Sequence, residues 1–348
     1  MDLHVDRLAS PPDEAAAFAV ATDGAALGHD PSWTAVLRET YALSTVHLVA
    51  RDEGGALRGL LPLVPFRGLD GRRDLVSLPF LDGAGILARD AAAAEALLDA
   101  AAAEVRRQGA RAVELRQTTA LPLAEAPEAP RVDMVLPLPA DEETLWRALP
   151  AKTRNQVRKA GREGLRLADA GGGRDLLADF SAVYRRRMRE LGSPPHPRRL
   201  FDASRRAFGE RMRVVVALRD ETPVGALLAI RHGDAVTVPW AATVSAENRR
   251  CPGHLVYWEA LRGAVAGGCR RFHFGRCAPG SGTWRFKRGW GAEERPLPWL
   301  RLLPSGRAAP VRPPSDSPLL AALSRGWRYL PPALSDRLGP VIRRRLAS

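Results

Sequence analysis

The sequence predicts an α/β (α+β) protein made of two tandem copies of one mixed unit, each with a mostly antiparallel sheet flanked by helices. The chain has 348 residues, which corresponds to two domains at roughly 100–200 residues per domain. Both halves also show one order of elements: a helix, a strand hairpin, a further strand, a helix that ends at glycine, and a strand. The order ends in GARAVELR in the first half and in GCRRFHFGR in the second. We interpret it as a weak internal repeat.

The first half contains a helix start and a hairpin. Asp30-Pro31 precedes TAVLRETY, and it predicts a helix because aspartate caps a helix and proline fits its first turn. TVHLVAR and LRGLLPLVPF flank Gly54-Gly55, which predicts a hairpin. The other expected elements are a strand and loop at 72–88, an alanine-rich helix at 90–108 ended by Gly109, strands at 111–116 and 132–139, and an acidic surface loop at 124–130.

The second half opens with helices and continues with strands. Asp141 is the expected cap of the helix DEETLWRAL, and Gly161 and Gly164 are expected to close a basic helix that begins AKTRNQ. Further helices are expected at 176–191, 198–208 and 255–266, and strands at 212–220, 222–243, 270–276 and 296–303. The expected domains are 1–139 and 140–304, followed by a linker and a basic helical tail at 305–348.

The composition indicates a protein with a sizeable core and anionic partners. The formal net charge is +13, from 52 Lys plus Arg against 39 Asp plus Glu. Such a surplus favours nucleic acid, phosphates, an acidic membrane face or an acidic substrate. The three cysteines have no metal-ligand spacing, so we interpret them as reduced thiols and expect no metal site. We also expect a cytoplasmic protein, because the sequence contains neither a signal-peptide pattern nor an apolar run long enough to span a membrane.

One short stretch combines glycines, aromatic rings and cations. GSGTWRFKRGWG, residues 280–291, follows HFGRCAP. Turn punctuation explains the glycines but not the two tryptophans, two arginines and one lysine among them. We predict a closely shaped loop in which the aromatic rings exclude water and the cations face an anion.

Several ordered motifs resemble one family. PAKTRNQVRKAGREGLRL, YRRRMRELGSPPHPRRLF and FHFGRCAPGSGTWRFKRGWGAEERPLPW lie in the second half, and DPSWTAVLRETY and LLPLVPFRGLDGRRDLVSLPFLDGAGILA in the first. Together they resemble FemAB-like proteins of the GNAT acyltransferase superfamily. The resemblance covers residues 28 to 300, and it is nearest to the BioF2-like acetyltransferase domain of a branch associated with exosortase/PEP-CTERM exopolysaccharide loci. It implies two tandem GNAT-like domains that transfer an acyl or aminoacyl group to an amine or a hydroxyl.

The resemblance places Lys287 in the transfer cleft, within Phe286-Lys287-Arg288-Gly289-Trp290-Gly291. A fixed cation there would stabilise negative charge that develops in the transition state. Arg276 follows a strand and could hold a carboxylate or phosphate with two parallel hydrogen bonds. The alternatives are a basic loop with core aromatics for Lys287 and a structural salt bridge for Arg276.

Other residues are candidates for substrate binding. Arg154 and Arg158 lie one helical turn apart with Asn155 between them, so this helix face could bind phosphates or remain solvated. Ser281 and Thr283 could bind substrate or merely satisfy turn backbone. Trp290 would help to wall the site from water.

The donor is undecided between acyl-CoA and aminoacyl-tRNA. GNAT enzymes bind pyrophosphate at a helix N-terminus, and Arg250 and Gly253 fit the spacing of that motif. Pro252 removes one N–H, and Leu255 replaces the last small residue, which weakens the motif. His254 is the candidate general base by position.

We therefore expect a cytoplasmic acyltransferase or aminoacyltransferase that acts on an amino group of a cell-envelope precursor, peptidoglycan-like or exopolysaccharide-like. Its partners would be an anionic nucleotide- or lipid-linked precursor, tRNA if the donor is aminoacyl-tRNA, and a membrane surface if Trp327, Tyr329 and the cations of the tail lie against one. The alternatives are an acyl-CoA-dependent N-acetyltransferase acting on an amino sugar, a non-catalytic GNAT-fold binding protein, and an RNA-binding module.

Overall fold

The computed structural model of the chain describes residues 3–123, 131–169, 171, 173–311 and 318–346. The acidic loop predicted at 124–130 lies outside these residues. The helices are α1 (Ala15–Ala21), α2 (Ser32–Tyr41), α3 (Ala91–Arg107), α4 (Glu142–Ala148), α5 (Ala151–Arg162), α6 (Leu176–Leu191), α7 (Arg198–Phe208), α8 (Pro252–Ala266), α9 (Gly282–Arg288), α10 (Pro318–Trp327) and α11 (Pro332–Arg343).

The strands are β1 (Leu3–Leu8), β2 (Val46–Asp52), β3 (Leu57–Arg67), β4 (Arg73–Val76), β5 (Leu87–Ala88), β6 (Val113–Leu115), β7 (Val132–Pro137), β8 (Arg166–Leu167), β9 (Met212–Arg219), β10 (Thr222–His232), β11 (Ala235–Thr243), β12 (Arg271–Cys277), β13 (Glu293–Pro296), β14 (Leu300–Leu302) and β15 (Ala308–Pro310). The chain divides into two compact units. The first unit is Met1–Val132, Pro296–Asp316 and Ile342–Ser348, and the second is Asp133–Arg295 and Ser317–Val341.

The first unit contains a mixed sheet in the order β1-β2-β3-β4-β6-β14-β15, with β5 paired to β3. The predicted hairpin is confirmed, since β2 and β3 pair antiparallel, with Val46 opposite Leu63. The predicted alanine-rich helix is also confirmed as α3. Its cap is Asp90, which accepts a hydrogen bond from the Ala93 amide, and the chain turns at Gly109 with a φ of 58°. Small alanine side chains let α3 lie close to the sheet and share its apolar core.

The second unit contains a sheet in the order β13-β7-β12-β11-β10-β9-β8. β9, β10 and β11 form an antiparallel meander. Met212 of β9 lies opposite Ile230 of β10, and Gly225 of β10 lies opposite Thr243 of β11. β11 and β12 instead run parallel, and α8 supplies the crossover that a parallel pair requires. Each unit therefore has the predicted mixed, mostly antiparallel sheet with flanking helices, and the predicted fold class is confirmed.

Four segments differ from the sequence predictions. Residues 282–288 of the predicted loop form helix α9. The predicted last strand is present as β14 but pairs with β6 in the first sheet, and part of the predicted linker, Ala308–Pro310, is strand β15. β7, which we grouped with residues 1–139, pairs within the second sheet. β7 and β14 were misplaced because each pairs with a strand that is distant in sequence, and local patterns do not encode such pairing.

Candidate active site

The two parallel strands of the second sheet separate after a short paired stretch. β11 and β12 pair at Ala235–Arg271, Val236–Phe272 and Thr237–His273. Beyond these positions no further pair joins the two strands in the described chain, although β11 continues to Thr243 and β12 to Cys277. Ligands of α/β sheets bind where the carboxyl ends of neighbouring strands diverge. We call this gap, with the helix starts that flank it, the β11–β12 opening.

Lys287 lies inside the protein at the end of β12. Its side chain is 5% exposed, and Nζ donates hydrogen bonds to the carbonyl oxygens of Gly275 at 2.6 Å and Arg276 at 3.0 Å. Gly275 has a φ of 80°, a left-handed conformation that glycine adopts without a steric penalty. Helix α9 carries Lys287, and Ser281 caps that helix by accepting a hydrogen bond from the Trp284 amide. The ammonium group is thus fixed beside the β11–β12 opening.

An aromatic cluster packs next to Lys287. The ring of His254 lies 5.1 Å from the ring of Phe286 and 5.7 Å from that of Trp290, measured between centroids. Trp290 is 1% exposed, and its indole N–H has no hydrogen-bond partner among the described residues. Tyr257 completes the cluster by packing on Phe286 and Phe274. Trp290 therefore belongs to the interior that supports the opening.

His254 is neutral at pH 7. Burial, and secondly the positive charge of Lys152, lower the pKa of its imidazole to about 4. A neutral imidazole can accept a hydrogen bond from an attacking amine. At this pKa it is a weak proton acceptor, because efficient base catalysis at neutral pH needs a pKa near 7. Burial also raises the pKa of Tyr257, which keeps its phenol protonated.

The start of α8 offers few free groups to an anion. Pro252 has no N–H, and the amides of His254 and Leu255 both donate to the carbonyl of Cys251. Arg250 forms ion pairs with Glu247 at 3.3 Å and Glu163 at 3.8 Å. Gly253 lies against Thr243 and Phe286, and a Cβ there would meet only ordinary van der Waals contacts. These residues fit the pyrophosphate of coenzyme A poorly.

The remaining candidates are spread over α5 and α9. Arg154 donates to the carbonyl of Arg147 at 2.9 Å, at the end of α4. Asn155 is exposed, and the exposed Arg158 places its guanidinium 5.3 Å from the ring of Trp146. Thr283 is exposed. The structure therefore brings His254, Trp290, Lys287, Arg276 and Gly253 together at the opening, whereas Arg158 and Asn155 lie on an outer helix face.

The sequence patterns missed several residues that assemble this site. Thr153 of α5 donates to the carbonyl of Gly289, and the thiol of Cys251 donates to Gln156, so α5 is tied to both sides of the opening. Burial raises the pKa of the Cys251 thiol, which disfavours a nucleophilic thiolate. Tyr257 follows His254 at helical spacing, a signal that could have found it. The three cysteines are free, and no group of metal-ligating side chains occurs among the described residues.

A groove of about 470 Å³ also lies in the second unit, between α4 and α8. It is lined by Glu142, Glu143, Trp146 and Trp258, with the two indole centroids 4.7 Å apart. Trp258 lies one helical turn beyond His254 on α8, so it points from the same face of the helix. The groove is therefore adjacent to the β11–β12 opening along α8.

No helix in the described part of the chain is long and apolar enough to cross a membrane.

The second unit has a parallel strand pair that opens beside a helix start, and each of the two units has a mixed sheet flanked by helices. This architecture is that of two GNAT-like domains. Comparisons with known proteins agree. Residues 151–288 match the family described as acetyltransferase (GNAT) domain, so this segment is a GNAT domain, and the protein is an acyltransferase. The GNAT part of the resemblance seen in the motifs is confirmed.

Solved structures extend the likeness to most of the chain. The crystal structure of FemX is 12% identical, with a TM-score of 0.65, over 86% of this chain and 97% of that one. The C-terminal domain of a putative lysylphosphatidylglycerol synthetase from Agrobacterium fabrum is 11% identical, with a TM-score of 0.54, over 90% and 95%. A tandem GNAT protein from the clavulanic acid biosynthesis pathway is 14% identical, with a TM-score of 0.53, over 89% and 100%. At these identities the likeness is one of fold. No curated protein sequence matches the chain.

Proposed function

We propose that the protein transfers an aminoacyl group from an activated ester, with aminoacyl-tRNA as the donor, to an amino group of a cell-envelope precursor. The single observation that carries the choice of donor is the start of α8. There, Arg250 is held by Glu247 and Glu163, and Pro252 lacks an N–H. A coenzyme A thioester needs free backbone amides and a free cation at this position, whereas an ester at the end of a tRNA does not.

The chemistry proposed for the β11–β12 opening is an acyl substitution. The acceptor amine attacks the ester carbonyl, the carbonyl oxygen gains negative charge, and the ribose hydroxyl leaves as the C–N bond forms. Lys287 and Arg276 would stabilise that negative charge, since a fixed cation in a water-poor site acts strongly on developing charge. Neutral His254 would accept a hydrogen bond from the attacking amine and orient its lone pair. The proton released by the amine would pass to the departing ribose oxygen.

Two further surfaces support this proposal. The exposed Arg158 and Asn155 on α5 would contact phosphates of the tRNA. The formal net charge of +13 favours such a polyanion. The groove of Trp146 and Trp258 would hold the acceptor, because it leads along α8 to His254. An envelope acceptor is in keeping with the name of one structural relative, a putative lysylphosphatidylglycerol synthetase.

The donor is tested by thermal shift of the purified full-length chain. We expect charged bulk tRNA to raise the melting temperature more than uncharged tRNA does, and acetyl-CoA to leave it unchanged. The tRNA species that stabilises is then used with labelled amino acid to detect transfer to envelope precursors. Stabilisation by acetyl-CoA alone would overturn the aminoacyl proposal in favour of an acyl-CoA-dependent N-acetyltransferase. If neither donor changes the melting temperature, the proposal fails.

A further inference from the structure

Helix α11 has large apolar residues on its outer side and small residues on its inner side. Ser335 and Gly339 are its buried residues, and Ser335 is 1% exposed. A Cβ added at Gly339 would lie 2.6 Å from Cδ of Pro195, so the helix backbone lies directly against the second unit there. An ion pair of 3.2 Å between Asp336 and Arg185 of α6 adds to this attachment. One side of α11 is thus packed against the second unit.

The opposite side of α11 carries large apolar residues in contact with solvent. Leu334, Leu338 and Val341 are 47%, 42% and 66% exposed. Their spacing of four and three residues puts them on one stripe of the helix. An amphipathic helix on the surface of a globular protein normally turns its large apolar residues toward the core, and α11 has the reverse arrangement. We call Leu334, Leu338 and Val341 the α11 stripe.

Cations and an exposed aromatic ring accompany the α11 stripe. Arg337 lies three residues after Leu334 and four before Val341, so it borders the stripe on the helix surface. Arg325 and Arg328 precede α11, and none of these three guanidinium groups forms an ion pair with a carboxylate in the part of the chain that the structure describes. Tyr329, between α10 and α11, is 88% exposed.

We propose that the α11 stripe is a membrane-surface anchor that binds bilayers rich in anionic lipid. Leu334, Leu338 and Val341 would enter the boundary between headgroups and acyl chains, where an amphipathic helix lies in the plane of the interface. Arg325, Arg328 and Arg337 would meet the lipid phosphates, since basic residues close to an anionic leaflet each contribute to binding. Tyr329 would lie at headgroup level, as amphipathic aromatic rings do. A protein partner would not require a cation such as Arg337 beside the stripe, whereas an anionic bilayer uses both the apolar residues and the cation.

Vesicle flotation of the full-length chain tests this anchor. We expect the protein to float with vesicles of phosphatidylglycerol and phosphatidylcholine in equimolar mixture, and to stay in solution with vesicles of phosphatidylcholine alone. Binding should weaken as salt is raised, because the phosphate contacts are screened. The double variant Leu334→Glu/Leu338→Glu should lower partitioning on the order of a hundredfold, since the two leucines that insert into the bilayer contribute most of the apolar insertion.

Matched variants and the oligomeric state complete the test. Val20→Glu is the control, because Val20 is 70% exposed on α1, outside the tail, and it should bind like the wild type. Leu334→Ser/Leu338→Ser makes the same test without added negative charge, and both double variants should keep the wild-type melting temperature. Three results would overturn the proposal: no binding to the anionic vesicles, equal binding to both vesicle types, or a dimer in light scattering that the double variant dissociates.

Discussion

The imidazole of His254 stacks on the indole of Trp290, with centroids 5.7 Å apart and ring planes 27° apart. The first residues of α8 are thereby fastened to the segment that follows α9, although the two rings are 36 positions apart in the chain. Burial of the imidazole is the main reason that its pKa is lowered to about 4. The stack thus fixes the position of His254 and contributes to its burial.

The titration of His254 tests that reading. Its pKa is lowered to about 4, first by burial and then by the charge of Lys152. Lys152→Ala should raise the pKa of His254, because it removes a like charge while leaving the packing intact. NMR titration of the imidazole protons measures both values. Arg162→Ala on the same helix is the control and should not shift the titration. A wild-type pKa near 6.5 would contradict the buried stack.

Lys287→Met should destabilise the protein as well as remove a charge. The substitution keeps the length of the side chain but leaves the buried carbonyls of Gly275 and Arg276 without the ammonium. An unsatisfied buried polar group costs about 1–3 kcal/mol, so chemical denaturation should show a loss of that order. Arg288→Met, an exposed neighbour on α9, is the control. If Lys287→Met unfolds like the wild type but has no transfer activity, the lysine acts on the reaction alone.

The stability of the first unit should fall in mild acid. His29 and His47 are 3% and 2% exposed, and burial lowers the pKa of each imidazole to about 4. Between pH 4 and 6.5 the unfolded chain binds more protons, so stability rises with pH across this window and is lost as pH falls through it. Each histidine contributes about 1.4 kcal/mol per pH unit.

Denaturation curves at several pH values measure this slope. His47→Gln cannot gain a proton, so it should reduce the slope by the share of one histidine. A slope that is the same in the variant and the wild type would assign the acid sensitivity to other groups.

Two glycine substitutions should act in opposite directions. A Cβ at Gly225 of β10 would lie 2.9 Å from Cβ of Pro252, the first residue of α8. Gly225→Ala should therefore displace the start of α8 and destabilise the second unit by about 1–3 kcal/mol. Gly161 of α5 has nothing within 4 Å of an added Cβ, so Gly161→Ala should stabilise by about 0.5–1 kcal/mol. Chemical denaturation compares the two, and equal effects would mean that α8 is not held against β10.

Arg158 and Arg250 separate the two donors. If tRNA is the donor, Arg158→Gln should weaken tRNA binding at all sequences and lower its salt slope by about one. Arg250→Gln should then leave tRNA affinity within about twofold, because Arg250 is already paired with Glu247 and Glu163. Filter binding at several salt concentrations measures both. The reverse ranking, with Arg250→Gln the more damaging variant, would indicate that the start of α8 binds the donor.

Local sequence signals predicted the elements well, but they did not predict the partners of those elements. Asp90, Asp141 and Ser281 are helix caps in the structure. The cap at Asp141 was predicted, because capping depends on residues three positions apart. The predicted cap at Asp30 is one residue early, since the N-cap position of α2 is Pro31. The α9 helix was missed because Gly282 and Gly289 outweighed the cap at Ser281. The stretch of sequence around Lys287 does mark the place where the rings of His254, Phe286 and Trp290 meet.

The environment of each candidate depends on distant residues and was beyond prediction. The hydrogen-bond acceptors of the buried Lys287 are carbonyls on β12, and one ion-pair partner of Arg250 is Glu163 on another segment. Spacing within a motif cannot reveal either contact. The roles assigned to the site residues, the domain boundaries and the acceptor stay predictions for the experiments above.

Because β14 pairs with β6, the first sheet cannot be completed until late in the synthesis of the chain. While a ribosome is still translating, β6 has β4 on one side and an open edge on the other until Leu300–Leu302 has emerged. An open edge strand invites pairing with other chains, so the newly made first unit is exposed to aggregation for most of the synthesis. A fragment that stops before β14 inherits this edge permanently. Expression of the isolated first half should therefore depend on chaperones far more than expression of the complete chain.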